Sequence, residues 1–530
     1  MTRSWNNYLI YDSVSDDQRE YLHRILDLGL SFFDTANKKT FQYADIESIV
    51  QKLNEYDPQT YFKDPEDIYD FLDYFVKHSA PQCKKKYLAF PDSGNSLASI
   101  VGDIIKSCTN QNLIAVDRSA PVATMMEIQL ILWLRELIGY PHKKLSELTG
   151  LCDIGGMWTP GGNMSNYIAI LTALRKKYPT IVKNGLRSLP KQPVILVAKD
   201  IAHYSIENAA QQLGLGRDSI VWVDTDSNYN TDVESMERAI ACLHVDQDPF
   251  IIIAVAGNCR TSGVDNISAL CKLAQKHGIW CHIDACHGGS LLFSEKHRAI
   301  LGCIESADSV TLDPHKSLFT TYSSSYVLFK NSFDLGSFCR YPEKFCNPQC
   351  LDLGLITPFL GSRGFESIKL WLLLNLMGIK GVGELVNARI ELANRIITKI
   401  SSLDNIVSLN QSYIYRFAFV CIPNNIHLYP DSASQVSQIN LFNEQLSDMI
   451  YRRGNIILDC FKLKDVSNKL GYGRDTTFST LGLSFGHVEY TKAELQELIN
   501  ELEQCIHELL LKSNCTSRSP QFTSSPADWS

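Results

Sequence analysis

The apolar positions of this chain change their rhythm along its length. Up to about residue 150 they recur at helical spacing. They do so around Tyr21-Leu22-His23-Arg24-Ile25-Leu26-Asp27-Leu28, within a charged and aromatic stretch over 1–85, and more regularly at Leu130, Leu134 and Leu137. The i, i+4, i+7 spacing of the last three predicts a long helix over 121–138. Pro121, after Ser119, would begin it, and Gly139 and Pro141 would stop it. From about 150 to 330 short apolar runs bounded by turn residues alternate with helical stretches. The runs at 193–198, 250–255 and 279–283 predict buried strands, and those at 309–312 and 326–329 continue the series. Between them lie a predicted helix from Asn166 to Tyr178, ended by Pro179, and an amphipathic helix from Ser268 to His277, stopped by Gly278. Strands separated by helices imply a largely parallel sheet with helices packed on it.

Beyond the strand-rich stretch, the spacing of Leu370, Trp371 and Leu374 predicts a helix over 366–378. More helix and several short strand-like pieces follow, as expected of a smaller C-terminal domain. Residues 513–530 are rich in Ser, Thr and Pro and are predicted to be disordered. There is no internal repeat.

Bulk composition narrows the function class only a little. The chain has 530 residues, 45% hydrophobic and 20% charged, with a formal net charge of −8. It can bury a large core, and its acidic balance argues against a nucleic-acid platform. No apolar run approaches the ~18 residues of a membrane span. The first residues carry one base, Arg3, and no following apolar segment, so the expectation is a cytoplasmic enzyme. The 16 cysteines include no CxxC pair. Cys346 and Cys350 form a C-x3-C without a second pair nearby, so no metal is expected, and most cysteines read as small buried hydrophobes.

The chemistry sits just after predicted strands, where ligands bind in parallel α/β sheets. Asp284 follows one strand, in His282-Ile283-Asp284-Ala285-Cys286-His287-Gly288-Gly289, and Lys316 follows the next, in Asp313-Pro314-His315-Lys316-Ser317. An amine that can form an imine and a carboxylate that can keep a pyridinium protonated are what pyridoxal 5'-phosphate (PLP) chemistry needs. Thr159-Pro160-Gly161-Gly162-Asn163-Met164-Ser165-Asn166 precedes a helix, and glycines there let N–H groups approach a phosphate. It is neither a Walker loop nor a GxGxxG turn. His203, in Ala202-His203-Tyr204-Ser205-Ile206, follows another strand, and an imidazole can stack flat on a pyridine ring. Each feature alone has an ordinary structural explanation: a turn before a helix, a capping His, a strand-end Asp, a solvated Lys. Their order together makes those explanations improbable.

These residues, with Trp280-x-His282-Ile283-Asp284-Ala285, Asn110-Gln111-Asn112, Ser119-Ala120-Pro121, Trp133-Leu134 and Ser362-Arg363 before Lys369-Leu370-Trp371, resemble the group II PLP-dependent amino-acid decarboxylases. That family includes glutamate, cysteine-sulfinate, aromatic amino-acid, histidine and diaminobutyrate decarboxylases. The resemblance runs from roughly residue 85 to 400. It implies an α/β protein of PLP fold type I, like aspartate aminotransferase, with a mainly parallel seven-stranded sheet and a small C-terminal α+β domain. It implies a helical segment over 1–115 wrapping the partner of a homodimer, a PLP-binding domain over 116–380, a small domain over 381–512 and the tail from 513. It also implies roles. Lys316 holds PLP as a Schiff base, Asp284 pairs with the ring nitrogen and His203 stacks on the ring. The N–H groups of Asn163 and Met164, with the Asp313 position, surround the phosphate. His315 assists substrate binding or protonation, and Asn258 lies near the cofactor.

The chain departs from that pattern in five places. Asn258-Cys259 stands where the family has a Thr pair, and Cys286 where it has a small Ala. Thr480 stands where glutamate-selective members carry an Arg that clamps a carboxylate, and Phe90 falls near their substrate-binding Gln. The loop that usually supplies a proton-donating Tyr reads Pro358-Phe359, leaving Tyr341 as a substitute. The expected activity is decarboxylation of a small amino acid other than glutamate to its amine. Decarboxylation coupled to oxidative deamination, or a partner protein that keeps the fold without the activity, are the alternatives.

Overall fold

The computed structural model describes residues 9–10, 13–34, 45–56, 65–356 and 358–515. Its centre is a seven-stranded sheet of β1 (Gly156–Thr159), β2 (Gln192–Ala198), β3 (Ile220–Val223), β4 (Gln247–Val255), β5 (Trp280–Asp284), β6 (Ser309–Leu312) and β7 (Ser325–Phe329), in the order β1-β7-β6-β5-β4-β2-β3. The pairs β2–β3, β2–β4, β4–β5 and β5–β6 are parallel, whereas β7 runs antiparallel to both β6 and β1. Every residue of β4 from Phe250 to Val255 is buried, as helices on both faces of the sheet require. In register, Val255 faces Asp284 and Asp284 faces Thr311. The carboxyl ends of three parallel strands therefore lie on one edge, and the Asp313–Ser317 turn follows directly.

Among helices of eight residues or more, α1 (Asp16–Ser31), α2 (Ile46–Leu53), α3 (Tyr69–His78) and α4 (Leu97–Thr109) precede the sheet. The helix predicted over 121–138 is α5, Pro121–Ile138, with Pro in its first turn and Gly139 at φ +98° closing it. α6 (Gly162–Lys177) starts four residues earlier than the apolar spacing predicts, because Gly162-Asn163-Met164-Ser165 form its first turn. α7 (Ser205–Gln212) and α8 (Val233–Ala241) follow. α9 (Ile267–His277) is capped by the Asn266 side chain and ended by Gly278 in the left-handed region.

α10 extends the helix predicted over 366–378 to Ile368–Ile400, with a local break at Gly378, φ +68°. It lies against α4 and α5. Gly383 is obligatory there, since a Cβ would come within 2.2 Å of the Phe293 carbonyl oxygen.

The second sheet is antiparallel: β8 (Ile406–Ser408), β9 (Arg416–Cys421), β10 (Asp459–Lys464) and β11 (Thr477–Ser484), ordered β10-β11-β9-β8. α11 (Ser432–Arg453) covers it and α12 (Lys492–Cys515) packs on α11. The tail predicted from 513 lies outside the described residues after Cys515. No helix among the described residues is long and apolar enough to cross a membrane.

Candidate active site

Asp284 ends β5 with its carboxylate buried. Asn166 Nδ2 donates to Oδ2 at 2.8 Å and the Cys286 N–H donates to Oδ1 at 3.2 Å. The Asn166 amide is fixed from behind. Its Nδ2 also donates to Ser205 Oγ at 2.9 Å, so its oxygen accepts from His282 Nε2 at 3.1 Å. His282 Nδ1 then accepts from Ser309 Oγ at 2.8 Å, which itself accepts from Trp280 Nε1 at 2.9 Å. One directed chain, Trp280–Ser309–His282–Asn166–Asp284, sets the tautomer and the amide orientation. Burial pushes His282 down to about 4, so the ring is neutral at pH 7. Burial alone would raise the pKa of Asp284. His203, the Cys286 side chain, Lys316 and Asn166 together outweigh it and hold the carboxyl below its ordinary range.

Lys316 reaches the same cavity from the turn after β6. Its Nζ lies 3.0 Å from Asp313 Oδ2, and Asp313 is fully buried. Burial would lower the pKa of this amine, but Asp313, Cys286 and Asp284 hold it well above the ordinary lysine range. The cavity is also lined by Gly162, Asn163, Asn166, His203, Asn258 and His287. Burial lowers the pKa of His203, against the pull of Asp284. Asn258 is spent on its own turn, accepting from the Thr261 N–H at 2.7 Å and the Arg260 N–H at 3.1 Å. Cys286 is a thiol, burial pushing it well above its ordinary range. Its sulfur would lie 2.5 Å from a Cβ at Gly162, and Asp313 Oδ2 would lie 2.7 Å away. Only glycine lets the start of α6 come this close to the sheet. The N–H groups of Gly162, Asn163 and Met164 lead that helix, an arrangement suited to an anion.

The structure therefore brings Asn163, His203, Asn258, Asp284, Cys286 and Lys316 into one cavity. Met164 adjoins it through the first turn of α6. Asp313 joins it through Lys316. Its carboxylate oxygen lies against Lys316 Nζ, while the N–H groups that lead α6 are the donors suited to an anion. His315 stands behind the lysine. Its Nδ1 donates to the Ser324 carbonyl at 2.7 Å and its ring lies tilted against Tyr322, with centroids 4.6 Å apart. Tyr341 is not brought in within one chain: it is 40% exposed, with Arg340 and Lys344 against its ring. Phe90 is 47% exposed, and the residue of this loop whose charge is felt by Lys316 is the buried Asp92. Sequence reasoning missed Asp92, Asn166, His287 and Tyr322 as site residues. Asn166 and His287 lay inside motifs already singled out, whereas nothing in the local pattern marked Asp92 or Tyr322.

The sequence profile described as "Pyridoxal-dependent decarboxylase conserved domain" matches residues 51–415. The chain belongs to the pyridoxal-dependent decarboxylase family. It is 26% identical over 391 residues to L-2,4-diaminobutyrate decarboxylase of Acinetobacter baumannii, covering 70% of this chain and 72% of the relative. It is 27% identical over 449 residues to cysteine sulfinic acid decarboxylase of Rattus norvegicus, covering 83% and 88%. The fold matches the crystal structure of mouse CSAD in apo form with a TM-score of 0.81 at 23% identity, over 92% of this chain and 98% of that one. This decarboxylase is thus a PLP-dependent amino-acid carboxy-lyase of the α/β fold expected from its sequence. The residues present fit PLP: an amine, a buried ionised carboxylate, a flat neutral imidazole and a helix start share one cavity.

Proposed function

We propose that this decarboxylase removes the α-carboxylate of a small amino acid other than glutamate or cysteine sulfinate, giving the amine. The observation that carries the assignment of roles is the meeting of Lys316 and ionised Asp284 in one cavity, which His203, from the turn after β2, also lines. In this reading Lys316 holds PLP covalently, Asp284 faces its ring nitrogen, His203 lies on its ring, and the N–H groups of Gly162, Asn163 and Met164 hold its phosphate. When bound, PLP supplies the sink for the electron pair left as the bond from Cα to CO2 breaks. The protein's own part is to keep Asp284 charged through the Asn166–His282 chain and to exclude water around it. Neutral His315, with Nδ1 committed to Ser324, offers Nε2 for moving a proton near Lys316.

The case against an acidic side chain rests on the fate of the buried cations. Thr480, at the position of the missing clamp, is fully buried and turns its hydroxyl to the Phe478 carbonyl at 3.2 Å. Arg389 spends its guanidinium on the carbonyls of Phe485, Lys316, Ser317 and Pro91. Arg416 is spent on the Ala89 carbonyl, Ser484 and Asp459. Neither is left to hold a side-chain carboxylate.

A second copy of the chain is the proposed partner, with cytoplasmic residence and the segment over 1–115 at the contact. Leu22, Leu26 and Leu30 recur at i, i+4, i+8 along α1 and are each more than 40% exposed. Ile46, Val50 and Leu53 do the same on α2.

The experiment is a screen of the PLP-loaded enzyme for CO2 and amine release, with Lys316→Ala alongside. The wild type should show an absorbance band near ~420 nm and release amine, and the variant should show neither. Turnover by Lys316→Ala without added amine would remove Lys316 from its role. Glutamate as best substrate by kcat/KM would overturn the substrate reading.

A further inference from the structure

The loop before α4 carries a carboxylate that the chemistry above does not use. Asp92 is 9% exposed, and its Oδ1 has no hydrogen-bond partner among the described residues. It is tied to the catalytic lysine by one buried group. The Arg389 guanidinium donates through Nη2 to the Pro91 carbonyl at 3.1 Å, and through Nη1 to the Lys316 and Ser317 carbonyls at 3.4 and 3.3 Å. The loop then runs along the segment that follows Lys316. The Ser96 N–H donates to the Phe319 carbonyl at 3.1 Å, and a Cβ at Gly94 would meet Thr321 Cα at 3.6 Å. Tyr322, its ring tilted against His315, interacts with the Asp92 carboxylate through its hydroxyl. The buried hydroxyls of Ser93, Thr320 and Ser324 likewise have no hydrogen-bond partner among the described residues. This wall is polar and anionic rather than apolar.

An unbalanced buried carboxylate is costly unless something pairs with it. The cations nearby are committed. Arg389 donates to four carbonyls and makes no hydrogen bond to the Asp92 carboxylate among the described residues, and Lys316 already faces Asp313 at 3.0 Å and gives up its free amine when it holds the cofactor. Burial pushes Asp92 above its ordinary range, against Lys316 and His315, which is the penalty that a bound cation would remove.

We propose that Asp92 is the side-chain selector of this decarboxylase and that the substrate is an amino acid whose side chain ends in an ammonium group. The proposal rests on the decarboxylase reading and narrows it. The side-chain ammonium sits against Asp92 Oδ1, with Tyr322 and the hydroxyls of Ser93 and Ser324 around it. An acidic side chain is repelled there, and an aliphatic one leaves the carboxylate unpaired.

The test uses the PLP-loaded full chain and isosteric pairs: L-2,4-diaminobutyrate against L-norvaline, and L-ornithine against L-norleucine, with L-glutamate and L-tryptophan added. At least one cationic member should exceed its neutral isostere in kcat/KM by at least about 30-fold. Asp92→Asn should keep the ~420 nm band and collapse that ratio through the KM of the cationic substrate, and Asp92→Glu should restore part of it. In calorimetry the wild type should bind 1,3-diaminopropane more tightly than n-butylamine, and Asp92→Asn should not. Norvaline, tryptophan or glutamate as the preferred wild-type substrate would overturn the proposal, as would an unchanged ratio in Asp92→Asn. If a variant fails to fold, the wild-type preference and the amine binding still decide. A wild type that holds PLP yet releases CO2 from no amino acid would instead sink the decarboxylase reading on which the proposal stands.

Discussion

Burial works against the Asp284 charge, but His203, Cys286, Lys316 and Asn166 outweigh it, and His282 fixes the Asn166 amide that donates to the carboxylate. Asp284→Asn preserves the shape and removes the charge. It should leave the fold intact while kcat falls by several orders of magnitude, roughly 4 kcal/mol or more of transition-state stabilisation. A loss under about tenfold would make Asp284 a structural residue only. His282 gives a second, pH-linked prediction. Its folded value is depressed to about 4 from the ordinary 6.5. The stability tied to its neutral form is therefore complete above about 6.5 and lost as pH falls toward 4, about 3 kcal/mol in all. Asp265 works the other way in the same window, since burial raises it to about 6 and its folded form gains by taking up a proton. The total pH dependence is thus not diagnostic, but the difference between wild type and His282→Gln is. That difference in unfolding free energy should shrink by about 3 kcal/mol from pH 7 to pH 4, and parallel curves would discard it. The candidate residues legible in the sequence were those whose type and order state their chemistry, Lys316 and Asp284 above all. Asp92 was not, because a carboxylate in a turn is ordinary until Arg389, some three hundred residues later, ties its neighbour to Lys316.

At the scale of elements, α5 and α10 are joined by a buried ion pair. Arg363, just before α10, forks onto both oxygens of Glu127, and Ser367 Oγ donates to the same carboxylate at 2.7 Å. Glu127 is fully buried and the arginine nearly so. Removing one partner strands the other charge, so Glu127→Gln should cost about 3–5 kcal/mol in denaturant unfolding. A loss below 1 kcal/mol would mean that water or another group reaches Arg363. The same helices show where local pattern suffices. α5 was readable end to end because Pro121 and Gly139 punctuate it. α10 was read as ending at Gly378, whose left-handed backbone does break the helix locally, yet the chain resumes beyond it, where Val382, Val386 and Ile390 are buried. β1 and β3 escaped notice because each is defined by its neighbour, β7 or β2.

For the whole molecule, the described surface leaves the leucines of α1 and the aliphatic residues of α2 exposed in rows. Light scattering on the purified chain should therefore give twice the chain mass. Leu22→Asp combined with Leu26→Asp should shift it toward one, with loss of activity if the site needs both copies. A monomeric wild type would withdraw the second copy as partner. The large sheet was legible as a class from strand spacing, since alternation with helices implies parallel pairing, whereas the small one showed only as short strand-like pieces. The reversal of β7 was not, because strand direction is set by where the chain re-enters the sheet.

The pairing of β1 with β7 also orders events in time. β1 runs straight into the Gly161-Gly162 turn, and its partner lies just beyond Lys316, with Gly156 opposite Leu328, about 170 residues apart in the chain. Loop-closure entropy makes so distant a pairing slow. Until that edge closes, the anion seat and the lysine belong to separate parts of the molecule. On dilution from denaturant with PLP present, helical ellipticity should recover first and the cofactor band should trail it, so that colour marks completion of the molecule rather than its collapse.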